Sequence, residues 1–417
     1  MRMIACAPPA LAELRLLSGA LADATREQLA RVVSLIDELP DRSGADRLLD
    51  RARPRLRELN LPRPLGLTRL LFMPLDPWIV RPAEWQPGGP AVPRSALQPL
   101  SAAVQAGLGL EAARIEAGCT GATAEDLDKV FSLGRDLWPA AAQALPESTP
   151  TGWEAAGLPG REYPALRDRC AAAWRHAVAS WPALQAAPYG PPEHLARQAL
   201  EGAAAEGGAA LDTVLRILVA RASRPASLAT LAVRLSPPGS AQAARAAQGA
   251  VDEYLSRREV ERPSSADRRG QARRAAEDAL AVCVLAEDFE ASGLLGVPAR
   301  RERLQAIRRA ADETCRDSFA ALLSGELLGQ LSAMRGAAVA ETRAAVPALE
   351  GTARLLRRIE SGGRRLGGAE AYDAALQSAA AEVARNGEGA GLSPVERLRL
   401  VEMLAGPEVA LRLVGWP

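Results

Sequence analysis

The sequence predicts an all-α protein, either an irregular multi-helix bundle or an α-solenoid-like array of roughly fifteen helices. Apolar residues recur at spacings of three and four wherever a period can be measured. Aromatic residues make up only 4% of the chain, and β-branched residues are also scarce, whereas alanine and arginine are abundant. Alanine and arginine favour helix, and strands need the scarce types. No fixed repeat period links the predicted helices, so a regular repeat array is not favoured.

The length of the chain predicts two domains. A chain of 417 residues exceeds the size at which one hydrophobic core usually keeps growing. The proline-rich segment Pro182–Pro192 is the preferred boundary, which gives an N-terminal helical domain over residues 1–190 and a C-terminal helical domain over residues 191–417. Hydrophobic residues at 48% and charged residues at 24% are typical of a folded globular chain.

Capping signals place several helix starts. In the first clear helix, Leu29 and Ile36 belong to one apolar stripe, with Asp23 as the expected cap and Pro40 as the stop. Thr123 stands three residues before Asp126, the spacing of a capping box. The strongest signal is Ser393-Pro394-Val395-Glu396. The serine is expected to cap the start of a helix, the proline to take its first position, and the glutamate side chain to bond back to the serine.

Long apolar periods and helix breakers organise the C-terminal half. The run from about Arg300 to Leu331 keeps spacings of three and four and predicts one long amphipathic helix. Pro347 is expected to interrupt the next helical stretch. Ser361-Gly362-Gly363 and Gly367-Gly368 together predict a flexible turn between helices.

One segment, residues 61–100, does not follow the helical pattern. It contains nine prolines, which oppose helix, but its apolar content argues against disorder. The sequence therefore predicts an extended connector that is ordered and packs on the helices, with a short strand near Leu71 to Val80. The residues expected to be buried are Leu71, Phe72, Leu75 and Ile79.

The same connector supplies the partner-binding candidates Trp78, Arg81 and Trp85. Tryptophan and arginine are over-represented in binding hot spots, and loops carry function more often than frameworks do. We expect Trp78 to be buried and Trp85 to be partly exposed, because only Trp85 is followed by a polar, glycine-rich stretch. The competing interpretation is that both rings act only as a structural plug.

Arginine clusters suggest an anionic partner. Lys129 is the only lysine, and the arginine-rich windows 257–274 and 354–365 resemble phosphate-neutralising patches. The net charge is only +1, and no aromatic stacking residues accompany the clusters, so a solvated helix surface is the competing interpretation. The anion-binding candidates are Arg257, Arg258, Arg268, Arg269, Arg273, Arg274, Arg357, Arg358, Arg364 and Arg365.

No motif points to a catalytic or cofactor site. His176 and His194 lack metal-ligand spacing, and the glycine-rich stretches lack the Gly-Lys-Ser/Thr ending of a P-loop. Two acidic groups remain as the basis of a carboxylate-bound metal, although neither has the regular spacing of such sites. They are Glu125, Asp126 and Asp128, and Glu287, Asp288 and Glu290. We therefore expect no cofactor and no metal, and the catalytic residues are unknown.

The cysteines and the hydropathy indicate a cytoplasmic protein. The five cysteines are spaced for neither a zinc site nor a redox motif, which predicts five free thiols. The sequence contains no run of eighteen apolar residues, so it predicts no membrane span. The first residues do not resemble a signal peptide.

Together these observations predict a non-enzymatic helical interaction or scaffold protein of the bacterial cytoplasm, whose partner is another protein or a second copy of itself. Two alternatives stay open. One is an arginine-mediated binder of nucleic acid or another polyanion. The other is an all-helical enzyme with a carboxylate-bound metal, because scattered active-site residues leave no motif in a sequence.

Overall fold

A computed structural model of the protein describes residue 21 and residues 24–37, 63–258 and 268–414. Helices account for 80% of the described residues, which confirms the predicted all-α class. Contacts between residues divide the chain into two compact units, Met1–Trp181 and Pro182–Pro417, called here the N-terminal and C-terminal units. The division falls at the first residue of the proline-rich segment in which the domain boundary is expected.

The described part of the N-terminal unit combines helices with one very small sheet. Two short strands, β1 (Ile79–Val80) and β2 (Val92–Pro93), pair in parallel. A 3-10 helix, Met73–Trp78, leads into β1. The helices are α1 (Arg26–Asp37), α2 (Leu67–Phe72), α3 (Leu97–Leu108), α4 (Leu110–Cys119), α5 (Leu127–Ala144) and α6 (Tyr163–Ala186), the last of which continues beyond the division.

The described part of the C-terminal unit is built from helices joined by short turns. A seven-residue π-helix, Leu322–Leu328, interrupts its long central helix between α12 and α13. The helices are α7 (Glu193–Glu206), α8 (Gly208–Arg221), α9 (Pro225–Leu235), α10 (Ala241–Arg257), α11 (Arg268–Ser292), α12 (Pro298–Ala321), α13 (Gly329–Ala333), α14 (Val339–Leu366), α15 (Ala369–Asn386), α16 (Pro394–Ala405) and α17 (Pro407–Val414).

Two tryptophans hold the short helix α2 inside the N-terminal unit. The indole Nε1 of Trp138, in α5, donates to the carbonyl of Leu70 at 2.9 Å, and that of Trp174, in α6, donates to the carbonyl of Leu71 at 2.8 Å. The last carbonyls of a helix have no partner within the helix, so these N–H groups satisfy part of its C-terminal end. A helix of six residues is too short to be stable alone. Tertiary packing therefore stabilises α2.

The prediction of an extended connector over residues 61–100 is wrong for part of its described portion, since α2 and a 3-10 helix occupy it. Pro74 lies in the first turn of the 3-10 helix, where a missing N–H group costs no hydrogen bond. Within the segment Leu71 to Val80, where a short strand is predicted, only Ile79–Val80 form a strand, β1. Burial is confirmed for Leu71, Phe72 and Leu75 but not for Ile79, which is only half-buried.

In the C-terminal unit, one apolar core runs between α11, α12, α14, α15 and α16. Many of its members are alanines, which lets the helices approach closely. Larger side chains such as Phe319, Leu356 and Tyr372 fill the remaining space. The unit is therefore an alanine-rich irregular bundle, in agreement with the helical period of the sequence.

Three predicted helix starts have different outcomes. The capping box at Ser393 and Glu396 is confirmed, because the serine hydroxyl accepts from the backbone N–H of Glu396 and its own N–H donates to the glutamate at 2.8 Å. At α5, Asp126 is itself the cap and accepts from the N–H of Lys129, so Thr123 is not the capping residue. The Asp23 cap of the first helix and the Pro40 stop lie outside the described residues.

Two of the breaks predicted around α14, at Pro347 and at Gly362-Gly363, are wrong, whereas the turn predicted at Gly367-Gly368 is present. The helix continues through Pro347 and through Gly362-Gly363, and ends only at Gly367, which has a φ of 115°. Gly362 packs so closely on α11 that an added Cβ would lie 2.9 Å from that of Ala279. Close packing against α11 thus outweighs the low helix propensity of glycine, which a sequence pattern cannot show.

Candidate functional site

An exposed loop joins the two strands of the N-terminal unit. It spans residues 81–91 and is called here the 81–91 loop. Its ends are held side by side because Ile79 pairs with Val92 and Val80 pairs with Pro93. Compact surface loops with neighbouring ends are frequently functional.

Side-chain hydrogen bonds order the 81–91 loop. The Oε2 atom of Glu162 accepts from the N–H of Gly88 at 2.8 Å, and Arg169 of α6 donates to the carbonyl of Gly89. At the start of the loop, the guanidinium of Arg81 pairs with the carboxylate of Glu84 across a 3-10 turn. The loop is therefore fixed in place although most of its side chains are exposed.

The three partner-binding candidates differ in how far their side chains are exposed. Trp78 is 1% exposed and belongs to the core, as expected. Arg81 has 71% of its side chain exposed. Trp85 is half-buried, also as expected, and its Nε1 atom is buried with no hydrogen-bond acceptor among the described residues. Only Arg81 and Trp85 are therefore at the surface.

The first set of anion-binding candidates lies at the C-terminal end of α10 and the N-terminal end of α11. Arg257 pairs with Glu253 at 2.6 Å. Arg269 donates to the hydroxyl of Thr352 at 3.0 Å, and its Nε lies 3.5 Å from the carboxylate of Glu326. The ion pairs of the described residues do not include the rest of this set, namely Arg258, Arg268, Arg273 and Arg274.

The second set lies on α14 and is largely paired with carboxylates. Glu360, with 5% of its side chain exposed, has Arg357 at 3.1 Å and also pairs with Arg364 one turn later. Arg358 reaches across to Glu277 of α11 at 3.3 Å. Charges already balanced in this way bind phosphate less readily, because the phosphate must displace a carboxylate.

Arg365 completes the second set and has no ion pair among the described residues. It lies near Cys283, where burial raises the pKa of the thiol and the charge of Arg365 only partly opposes that rise. The two sets occupy neighbouring helices, since α11 and α14 pack together. The structure therefore places these candidates in one unit. Among the described residues, five of the ten have an ion pair, namely Arg257, Arg269, Arg357, Arg358 and Arg364.

A buried polar cluster lies where α12, α14 and α15 meet. Tyr372 is 2% exposed, and its ring meets that of Phe319 edge-on at 4.9 Å. The Tyr372 hydroxyl and the Oδ1 atom of Asp312 are buried without a hydrogen-bond partner among the described residues. Burial, reinforced by the negative charge of neighbouring groups, raises the pKa of Tyr372, so the phenol is neutral. Sequence reasoning did not find this cluster, because Asp312 and Tyr372 come from two separate helices.

The described thiols are poor nucleophiles. Burial raises the pKa of Cys119 to about 11 and the pKa values of Cys170 and Cys315 to about 12. It also raises the pKa of Cys283. A thiol must ionise to attack an electrophile. All four are free and buried, which confirms that part of the cysteine prediction. Cys6 lies outside the described residues.

Asp288, a member of one acidic group, has a structural role. Its carboxylate accepts from the backbone N–H of Ala226 at 2.7 Å and from that of Ser227 at 3.1 Å, and it also bonds the hydroxyl of Ser227. These N–H groups begin α9, where a negative charge is favourable. The described residues contain no group of three or more His, Cys, Asp or Glu placed to hold a metal ion.

Two arginines of α12 also serve the packing of the C-terminal unit. Arg300 makes a two-pronged pair with Asp252 at 2.6 and 3.0 Å. Arg303 donates to three carbonyls at the C-terminal end of α10, including that of Leu255 at 2.9 Å. Neither residue was singled out from the sequence, since the partners are more than forty positions away.

Comparisons with protein-family models, with curated proteins and with solved structures found no match for this chain. Among the described helices, none combines the length and the apolar character needed to cross a membrane. The class defined by the fold is thus an all-α protein of two units, and the 81–91 loop is an exposed segment of its N-terminal unit that hydrogen bonds hold in place.

Proposed function

We propose that this chain is a non-enzymatic interaction protein that binds another protein through the 81–91 loop. The observation that carries the proposal is the contrast between the order of the loop and its exposure. Glu162 and Arg169 hold its backbone, while Arg81 and Trp85 face outward or lie half-buried. A loop fixed before binding loses less conformational entropy when a partner docks.

The side chains of the loop support a protein partner. Trp85 offers a large apolar ring that is partly accessible, and Arg81 of the same loop has a largely exposed side chain, although its guanidinium pairs with Glu84. Trp and Arg dominate the binding energy of many protein interfaces. The arginine sets of α10, α11 and α14 support a polyanion less well, because five of their ten members already pair with carboxylates.

The experiment is site-specific photo-crosslinking in cells that produce the protein. A photoreactive amino acid replaces Gln86, which is exposed beside Trp85. The matched control places it at Leu110, which is 91% exposed in the same unit. We expect a discrete adduct with one protein from position 86 and none from position 110. Mass spectrometry then identifies the adduct.

A second variant tests whether Trp85 makes the contact. When Trp85→Ala is added to the protein that carries the photoreactive amino acid at position 86, the adduct should disappear. Circular dichroism should show unchanged helix content. The proposal fails if position 86 gives no adduct, or if the adduct persists without the Trp85 ring.

A further inference from the structure

The last described helix, α17, leaves apolar side chains exposed. Within the C-terminal unit it buries Ala410, while Leu411 and Leu413 are 52% and 41% exposed. Val395, at the start of the neighbouring helix α16, is 65% exposed. Successive residues are about 100° apart around a helix, so Leu411 and Leu413 lie on opposite sides of α17, and one partner helix can cover only one of them.

The charges on α17 differ from those on the other described helices of this unit. Wherever one of the other described helices of this unit has an Asp or Glu four residues before an Arg, the two side chains form an ion pair. The closed pairs are Glu193–Arg197, Asp212–Arg216, Glu253–Arg257, Asp312–Arg316, Glu350–Arg354 and Glu360–Arg364.

On α17, Glu408 and Arg412 have this favourable spacing but do not pair. The Nε atom of Arg412 donates instead to the backbone carbonyl of Glu408, at 3.3 Å. Neither charge has an ion-pair partner elsewhere in the described part of the chain. The exposed face of α17 therefore carries one negative and one positive charge, four residues apart and beside Leu411.

We propose that α17 docks on α17 of a second copy of this chain. If the exposed faces of the two helices pack antiparallel, with a two-fold axis level with position 410, Glu408 of each copy faces Arg412 of the other, and Leu411 is covered. A two-fold interface requires a surface that is complementary to itself, and one opposite pair of charges on an antiparallel helix meets that requirement.

The small area of the surface predicts a weak dimer. A stable interface buries roughly 800 Å² on each partner, more than a few side chains of an eight-residue helix provide. Association should therefore be reversible and depend on protein concentration. Added salt should weaken it, because the charge pairs are exposed.

Sedimentation velocity over a range of concentrations tests the inference on the full chain. We expect Glu408→Arg and Arg412→Glu each to weaken dimerisation by about tenfold or more, since each places like charges together. The double variant carrying both changes should restore it, because the opposite charges face each other again. Leu411→Ser should also weaken the dimer.

Two controls keep the test separate from the proposed function. Leu110→Ser removes an exposed leucine of the N-terminal unit, and Trp85→Ala alters the 81–91 loop; both should leave the dimer unchanged. Circular dichroism checks that every variant folds. A wild-type chain that stays monomeric at all concentrations overturns the inference, as does a double variant no more dimeric than either single variant.

Discussion

At the residue scale, two buried tyrosines differ in one respect. The hydroxyl of Tyr163 donates to the carbonyl of Pro146 at 2.6 Å, whereas the hydroxyl of Tyr372 has no partner among the described residues. Both side chains are almost fully buried, at 1% and 2% exposed. A buried polar group without a partner is unfavourable, while a satisfied one contributes to stability.

Removing the two hydroxyls should therefore have opposite effects. Tyr163→Phe loses a hydrogen bond and leaves a carbonyl unsatisfied, so we expect the free energy of unfolding to fall by about 1–2 kcal/mol. Tyr372→Phe removes an unpaired group and should leave the free energy unchanged or raise it. Denaturant unfolding measures both, and an equal loss for the two variants would show that Tyr372 has a partner.

The raised pKa values of the thiols predict low reactivity and a loss of stability in alkali. In the native protein, the described thiols should resist alkylation at neutral pH and react once the chain is denatured. The folded state holds the protons of Cys170 and Cys315 more tightly than the ordinary pKa of 9.0 implies. The stability that these two protonated thiols contribute is present below pH 9.0 and declines as pH rises toward about 12.

Thiol counting with a chromogenic disulfide reagent, with and without denaturant, checks the first part. Thermal melts across the alkaline range check the second. Rapid reaction of more than one thiol in the folded protein would contradict the burial of the four described cysteines.

At the element scale, local signals predicted helix starts better than helix interruptions. The capping box of Ser393 depends on residues within one turn, so its sequence contains the whole interaction. Continuation of α14 through Pro347 depends instead on the packing of that helix against α11, and Trp138 and Trp174 stabilise α2 from far along the chain. Such long-range contacts leave no periodic pattern.

The π-helix between α12 and α13 was also missed, because its leucines continue the apolar spacing of the run from Arg300. A π turn accommodates one extra residue without changing the direction of the flanking helix. Deleting the exposed Ser324 should therefore convert the segment to regular α-helix and leave the melting temperature nearly unchanged.

The matched control deletes Ala311, a buried residue inside α12. That change rotates all later residues of the helix by about 100° relative to the core, so the melting temperature should fall sharply. Circular dichroism melts distinguish the two variants. A large loss on deletion of Ser324 would show that the π-helix itself is needed for packing.

At the scale of the whole molecule, the sequence predicted the all-α class. For the charged clusters it predicted the positions along the chain but not the ion pairs that they form. It could not show which carboxylate neutralises which arginine, because pairs such as Arg358–Glu277 and Arg300–Asp252 join distant helices. It did anticipate the different burial of Trp78 and Trp85, because the residues after each ring differ in polarity. The sequence did not predict that β1 and β2 pair and hold the two ends of the 81–91 loop together.

The 81–91 loop presents Trp85 as a surface residue, while Trp78 belongs to the core. Equilibrium unfolding of Trp78→Ala and Trp85→Ala tests this directly. We expect Trp78→Ala to lose about 3–5 kcal/mol of unfolding free energy, as truncation of a buried ring does, and Trp85→Ala to lose less than about 1 kcal/mol. Equal and large losses for both variants would contradict the account, because both rings would then be core residues and the loop would present no tryptophan to a partner.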